Sequence, residues 1–179
     1  MNNRTEQIII LKLQSGDADA YIDIYKQYAK PIYRYIYFRI GNEEQAEDLM
    51  QDVFLKFIEV ADKERITKLK AYLYKIAKNL IIDFYREQAK VVKIDIAKMQ
   101  ELVSSLGQSA TESRIELEMM GQAIIKLKDQ WQELIFLRYI EGLEYEEMAE
   151  MLNKSENYIR VNLHRARKEL NKLFKEKND

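Results

Sequence analysis

Residues 145–173, YEEMAEMLNKSENYIRVNLHRARKELNKL, decide how the whole chain is read. At about 100° per residue, Ile159, Leu163, Ala166, Leu170 and Leu173 line one side of a helix. Asn157, Arg160, Val161, His164 and Lys168 point the other way. Upstream, Tyr145 to Leu152 makes a shorter helix, Asn153-Lys154 forms a turn, and Ser155 caps the second helix. Asn153 suits the turn because its short polar side chain tolerates left-handed backbone. Two helices joined in this way form a helix-turn-helix.

Composition extends the helical reading to the rest of the chain. Five Gly and one Pro in 179 residues leave too few turn residues for a many-stranded sheet. Lys, Glu, Leu, Ala and Gln, all good helix formers, are plentiful. The sequence predicts an all-α fold. Ser15-Gly16 stops a first short helix and Asp17 caps a second. Gly41 ends that second helix, and Asn42 with Gln45 opens a capping box for a third, from about Glu43 to Val60. Pro31 removes a backbone donor, which predicts a kink or restart between Tyr28 and Ile32. The polar stretch Ala61 to Thr67 reads as a loop before a strong helix over roughly Leu69 to Lys90. Further on, Thr111 and Asp129 serve as caps for helices ending near Lys128 and Glu141, and Gly142 and Ser155 bracket two more.

One cluster of small and polar residues, Ser104-Ser105-Leu106-Gly107-Gln108-Ser109, marks a flexible linker. The expected organisation is two small helical domains, residues 1–92 and 114–179, joined by residues 93–113. The absence of Cys and the single His164 exclude thiol nucleophiles, disulfides and zinc sites built from Cys and His, so neither a cofactor nor a metal is expected. A reducing, cytoplasmic location fits. The apolar run Ile8 to Leu11 is far too short for a signal or membrane segment.

Lys plus Arg number 29 against 30 Asp plus Glu, so phosphate binding must come from segregated charge. Segregation is present. Lys63 to Lys93 holds nine bases against three acids, and Lys154 to Lys177 holds eight against three. Either surplus alone is also what a solvated helix face looks like. As a pair, one in each domain, they point to a bipartite DNA contact.

In the helix beginning at Leu69, the apolar stripe is Leu69, Leu73, Ile76, Leu80 and Phe84. Lys75, Lys78, Asn79 and Arg86 lie roughly opposite, where cations and an amide can meet phosphates and base edges. Tyr72, Tyr74 and Tyr85 flank them, to stack on unpaired bases or to pack against neighbouring helices. In the helix beginning at Glu43, Ala46, Leu49, Met50, Val53 and Phe57 form the core stripe. Glu44, Asp48, Gln51, Asp52 and Leu55 form the far side. A Leu framed by carboxylates is either a tolerated surface residue or part of a docking patch for a basic protein. In the helix-turn-helix, Val161 suits a thymine methyl while Arg160 and Asn157 suit purine edges. His164 reads as a groove or phosphate contact, since no nucleophile or carboxylate partner accompanies it.

These residues carry a family resemblance. The run AEDLMQDVFL (46–55), followed by AYLYKIAKNLIIDFYR (71–86), resembles region 2 of extracytoplasmic-function sigma factors of the sigma-70 family. YIEGLEYEEMA (139–149) and LHRARKEL (163–170) resemble region 4. The resemblance spans nearly the whole chain in the family's order. It implies a non-enzymatic alternative sigma factor that joins core RNA polymerase through the β′ clamp coiled coil and the β flap. Region 2 would open the −10 element of promoter DNA and region 4 would read the −35 element. By position, Asp48, Gln51 and Asp52, with Leu55 beside them, match the core-polymerase-binding site. Lys75, Lys78, Asn79 and Arg86 match the −10 helix, with Asp83 orienting a neighbouring cation. Glu156, Asn157, Arg160, Val161 and His164 match the face toward the −35 groove, and Lys168 extends it. An anti-sigma factor that covers these surfaces and holds the protein at the membrane is a further implied partner.

The chain departs from the family pattern in places. Tyr72 stands where Trp is usual, and the loop before it is short and lacks aromatic residues. Asn153 replaces the turn Gly, Glu144 a capping Ser, and Tyr158, Val161 and Asn162 the common Thr, Ser and Arg, which implies an unusual −35 sequence. Two other readings compete. A stand-alone helix-turn-helix transcriptional regulator needs a dimerisation surface, and no sustained heptads supply one. A nucleic-acid enzyme has Glu144, Glu146, Glu147 and Glu150 as its best candidates, yet Glu146, Glu147 and Glu150 fit the solvated side of a short helix.

Overall fold

The computed structural model describes residues 3–61, 63, 66–88 and 121–175. In chain order its helices are α1 (Asn3–Gln14), α2 (Ala18–Ile40), α3 (Glu43–Ala61), α4 (Leu69–Glu87), α5 (Asp129–Ile135), α6 (Tyr145–Leu152) and α7 (Glu156–Lys175). A π-helical turn over Phe136–Ile140 continues α5, and residues 121–125 are also helical. No strand occurs among the described residues, and the fold is all-α. The helices form two compact units, α1–α4 in one and the greater part of those after residue 121 in the other. The expected linker cluster Ser104–Ser109 and the expected cap Thr111 lie outside the described residues.

In the first unit the caps form where the turn residues predict them. Asp17 accepts a hydrogen bond from the Asp19 N–H at 3.0 Å and starts α2. Gly41 closes α2 at φ 69°, a left-handed conformation open to Gly at little cost, and its N–H donates to the Tyr37 carbonyl at 2.8 Å. Asn42 Oδ1 then accepts from the Gln45 N–H at 2.9 Å, the predicted cap of α3.

Pro31 does not restart α2, which runs unbroken from Ala18 to Ile40. The carbonyl that loses its donor belongs to Gln27, an exposed residue where water can take over, and buried Ile24, Tyr28, Ile32 and Tyr35 hold the helix on both sides of the proline.

α2, α3 and α4 pack on one another, and α1 lies mainly along α2. Ile24, Ile32, Tyr35 and Ile36 of α2 meet Val53, Phe54 and Phe57 of α3 and Leu73, Tyr74 and Ile81 of α4 in the core. The Tyr35 and Tyr74 rings lie 5.4 Å apart and tilted. Truncating a core aromatic such as Phe57 to Ala costs about 3–5 kcal/mol. α1 is tied down by polar contacts too: the Tyr28 hydroxyl donates to buried Glu6 at 2.7 Å. Gln7 and Gln14 donate to the carbonyls of Thr67 and Ala61, at 2.6 and 2.9 Å, on either side of the segment leading to α4.

The core face of α4 is rotated from the predicted stripe. Tyr74 and Tyr85 are buried, whereas Ile76 and Phe84 are only half-buried. The Tyr85 hydroxyl donates to the Arg39 carbonyl at 2.6 Å, and burial pushes its pKa above the usual phenol value, so it stays a neutral donor. On α3, Phe54 joins the core while Leu49 and Met50 are half-buried.

In the second unit, α5 packs against α7 and buries Leu134, Ile135, Phe136 and Leu137 with Ile159, Leu163 and Ala166. α5 begins at Asp129 after an extended Lys128, so Asp129 is the first helical residue rather than the cap. The π-helical turn ends where the Glu141 N–H reaches back five residues to the Phe136 carbonyl at 3.1 Å. Leu170 and Leu173, predicted as core, are half-buried.

Candidate nucleic-acid interface

Three solvent-facing surfaces hold the residues singled out by the sequence. On α3, Asp48, Gln51, Asp52 and Leu55 are all exposed and share one ridge, with Leu55 58% accessible. Glu44 and Glu59 continue the ridge at either end. Ile58, 43% exposed and one turn beyond, adds a second apolar side chain that the pattern reading did not pick out. An apolar group kept in water among carboxylates is suited to a partner that brings both a greasy contact and positive charge.

On α4, Lys75, Asn79 and Arg86 are exposed and Lys78 is half-buried, and all four lie on one face. Arg86 Nη2 pairs with Asp83 Oδ1 at 3.0 Å, in the open. Such a pair contributes about 0–1 kcal/mol, so it orients the guanidinium without withholding it from a stronger anion. Ile82, 48% exposed, sits among these polar residues and was missed in the sequence because its neighbours Leu80 and Ile81 made it look like core. Beside this face, a cavity of about 240 Å³ opens between α3 and α4, lined by Lys56, Glu59, Val60, Tyr72, Ile76 and Asn79. Tyr72 is half-buried against it, whereas Tyr74 and Tyr85 belong to the core and are withdrawn from any ligand. Of the three tyrosines, then, one faces this surface.

On α7, Glu156, Asn157, Arg160, Val161, His164 and Lys168 are all exposed, with Val161 39% accessible. Arg165 and Arg167 are exposed on or beside the same face, cations that were counted in the sequence but given no role. The turn before α7 is built as predicted. Asn153 takes φ 51°, and Ser155 Oγ accepts from the Tyr158 N–H at 3.1 Å.

Three side chains that depart from the family pattern, Asn162, Tyr158 and Glu144, are placed by contacts inside the unit. Asn162 is 8% exposed; its Oδ1 accepts from Trp131 Nε1 at 3.3 Å and its Nδ2 donates to the Tyr158 carbonyl at 2.9 Å. It faces inward. The Tyr158 hydroxyl donates to Gln130 Oε1 at 3.4 Å, and Lys154 lies over its ring at 5.6 Å. At the start of α6, Glu147 Oε2 accepts from the Glu144 N–H at 2.7 Å, the returning half of a capping box. Glu144 itself pairs with Arg138 at 2.9 Å. Two of the four acids considered for catalysis thus have structural work. Among the described residues no His, Cys, Asp and Glu cluster is suited to a metal, and no helix is long and apolar enough to cross a membrane.

The chain is similar to known proteins in both of its units. The family model Sigma-70 region 2 matches residues 24–91, and Sigma-70, region 4 matches residues 117–170. RNA polymerase sigma factor YlaC of Bacillus subtilis (strain 168) is 35% identical over 158 residues, covering 86% of this chain and 91% of that protein. ECF RNA polymerase sigma factor SigW of the same organism is 30% identical over 178 residues, covering 93% and 95%. Among solved structures, CnrH in complex with the cytosolic domain of CnrY has a similar fold, with a TM-score of 0.65 at 22% identity over 94% of this chain and 96% of that one. The sigma factor RpoE in complex with the anti-sigma factor NepR from Bartonella quintana gives 0.61 at 22% identity, over 84% and 94%.

Proposed function

The chain belongs to the extracytoplasmic-function sigma factors of the sigma-70 family, and on that premise we propose how its two units divide promoter recognition. It is an alternative sigma factor directing promoter-specific transcription. The region 2 match sets aside the stand-alone helix-turn-helix regulator, which accounts for region 4 alone. Its relatives are initiation factors, and we assign the chain no catalysis of its own.

The α3 ridge, Asp48, Gln51, Asp52 and Leu55, docks core RNA polymerase at the β′ clamp coiled coil, while residues 114–179 also meet the β flap. Exposed Leu55 among carboxylates is the observation that carries this assignment. Lys75, Lys78, Asn79 and Arg86 hold the −10 DNA backbone, and the cavity beside Tyr72 and Asn79 receives an unstacked base. Glu156, Asn157, Arg160, Val161, His164 and Lys168 face the −35 major groove. Residues 93–113 connect the two readers. Each basic surplus gives modest, salt-sensitive affinity, and core polymerase supplies specificity by making the second contact intramolecular.

A third partner is an anti-sigma factor. The solved sigma factor RpoE is described with the anti-sigma factor NepR, and CnrH, of similar fold, with the cytosolic domain of CnrY; one inhibitor can cover the α3 ridge together with a basic face. Such an inhibitor would hold this cytoplasmic protein at the membrane. Docking is tested by co-elution with core polymerase: Asp48→Ala/Gln51→Ala is expected to lose tenfold or more in affinity, about what removing a hot spot costs, while Lys168→Ala binds as wild type. Equal binding by the double variant overturns the docking assignment.

A further inference from the structure

Tyr145 has no role in the scheme above, yet two arginines converge on its ring. It is the first residue of α6 and half-buried. The Arg160 guanidinium lies over the ring, 4.5 Å from its centroid, and the Arg138 guanidinium lies 5.0 Å from it. Two cations on one ring would repel, but each has a carboxylate. Arg138 Nη1 pairs with Glu144 at 2.9 Å and donates to the Leu143 carbonyl at 2.8 Å. Arg160 Nη2 pairs with Glu156 Oε2 at 3.2 Å.

Arg138 is thereby fixed to the π-helical turn and the start of α6. Arg160 differs, since its side chain remains 59% accessible on the outer face of α7. Attraction to an aromatic face acts on the charge of a guanidinium, which carries five N–H donors in a planar fork. Arg160, held over the ring with one nitrogen on Glu156, keeps further N–H donors for a purine.

We propose that Tyr145 is the positioning residue for Arg160 in −35 recognition. The proposal rests on the reading of α7 as the −35 reader. The ring restricts a long, mobile side chain before DNA arrives, so less freedom is lost on binding and the guanidinium meets one base pair in one orientation. Without the ring, Arg160 still attracts phosphate but samples many orientations, and the base it selects is less sharply defined. Tyr145 therefore governs discrimination more than overall affinity.

Transcription by the holoenzyme from promoters with a randomised −35 element tests this, comparing wild type with Arg160→Ala, Tyr145→Leu and Tyr145→Phe. Arg160→Ala identifies the position that Arg160 reads as the one where selection relaxes. Tyr145→Leu keeps apolar volume and removes the π-face, and it is expected to relax that same position by about fivefold. Tyr145→Phe keeps the π-face and is expected to restore selection. The inference is overturned if Tyr145→Leu leaves that position sharp, or if it lowers output equally from every promoter, which is what a merely structural residue would do. If Arg160→Ala relaxes no position, the −35 reading of α7 fails, and this inference fails with it.

Discussion

The α4 face and the α7 face are both cationic, but their side chains are held in different ways. On α4, Arg86 is tied to Asp83 in open solvent, an Ile is left exposed, and a cavity opens beside Tyr72 and Asn79. On α7, the leading arginine already rests on an aromatic ring and a carboxylate, and buried Asn162 braces the helix from behind through Trp131. A surface with an open apolar recess gains most from a base that has left its stack. A surface whose side chains are already placed gains most from a closed groove of fixed shape. On the proposed reading, the difference teaches that charge marks both faces as candidates for nucleic acid, whereas packing around the charge separates a proposed reader of opened DNA from a proposed reader of duplex.

The sharpest way to break that comparison is to remove stacking from α4. Tyr72→Ala is expected to weaken holoenzyme binding to a single-stranded −10 oligonucleotide by about tenfold, from a stacking contribution of about 1–3 kcal/mol, and to leave −35 selection unaltered. A fluorescence titration with labelled oligonucleotide measures it. A smaller effect sharpens the α7 side. Asn162→Ala removes the partner of the Trp131 indole and should cost about 1 kcal/mol in chemical denaturation followed by tryptophan emission. Because Trp131 is the sole Trp, the signal reports the second unit alone. The −35 preference should survive, since Asn162 faces inward. The smallest effect concerns α4 backbone contacts: Arg86→Ala should weaken binding about equally for all sequences and flatten the dependence of log affinity on log salt by about one unit.

Much of this was legible in the sequence because it depends on local pattern. The caps at Asp17, Asn42 and Ser155, the glycine at 41 and the Asn153 turn follow from side chains bonding to backbone a few residues away. The outer faces of α3 and α7 follow from helical periodicity and strong polar contrast. The face of α4 was harder. Tyr72, Tyr74 and Tyr85 can each be core or surface, and the run Leu80-Ile81-Ile82 offers no polar contrast, so the core stripe was placed a fraction of a turn away from where Tyr35 and Tyr74 set it. The restart expected at Pro31 does not occur, because the cost of a missing donor depends on whether water reaches the Gln27 carbonyl. The Arg160–Tyr145 contact joins two helices and leaves no trace in spacing, and neither does the cavity between α3 and α4.

On the proposed function, two modest readers become specific only when core polymerase fixes their separation. Promoter fragments selected from genomic DNA by the holoenzyme should be measured for binding to the free protein and to the holoenzyme at one salt concentration. The account predicts that free protein binds selected and scrambled fragments alike and weakly, and that core polymerase confers the preference. Tight, sequence-specific binding by the free protein, unchanged by core polymerase, would contradict it.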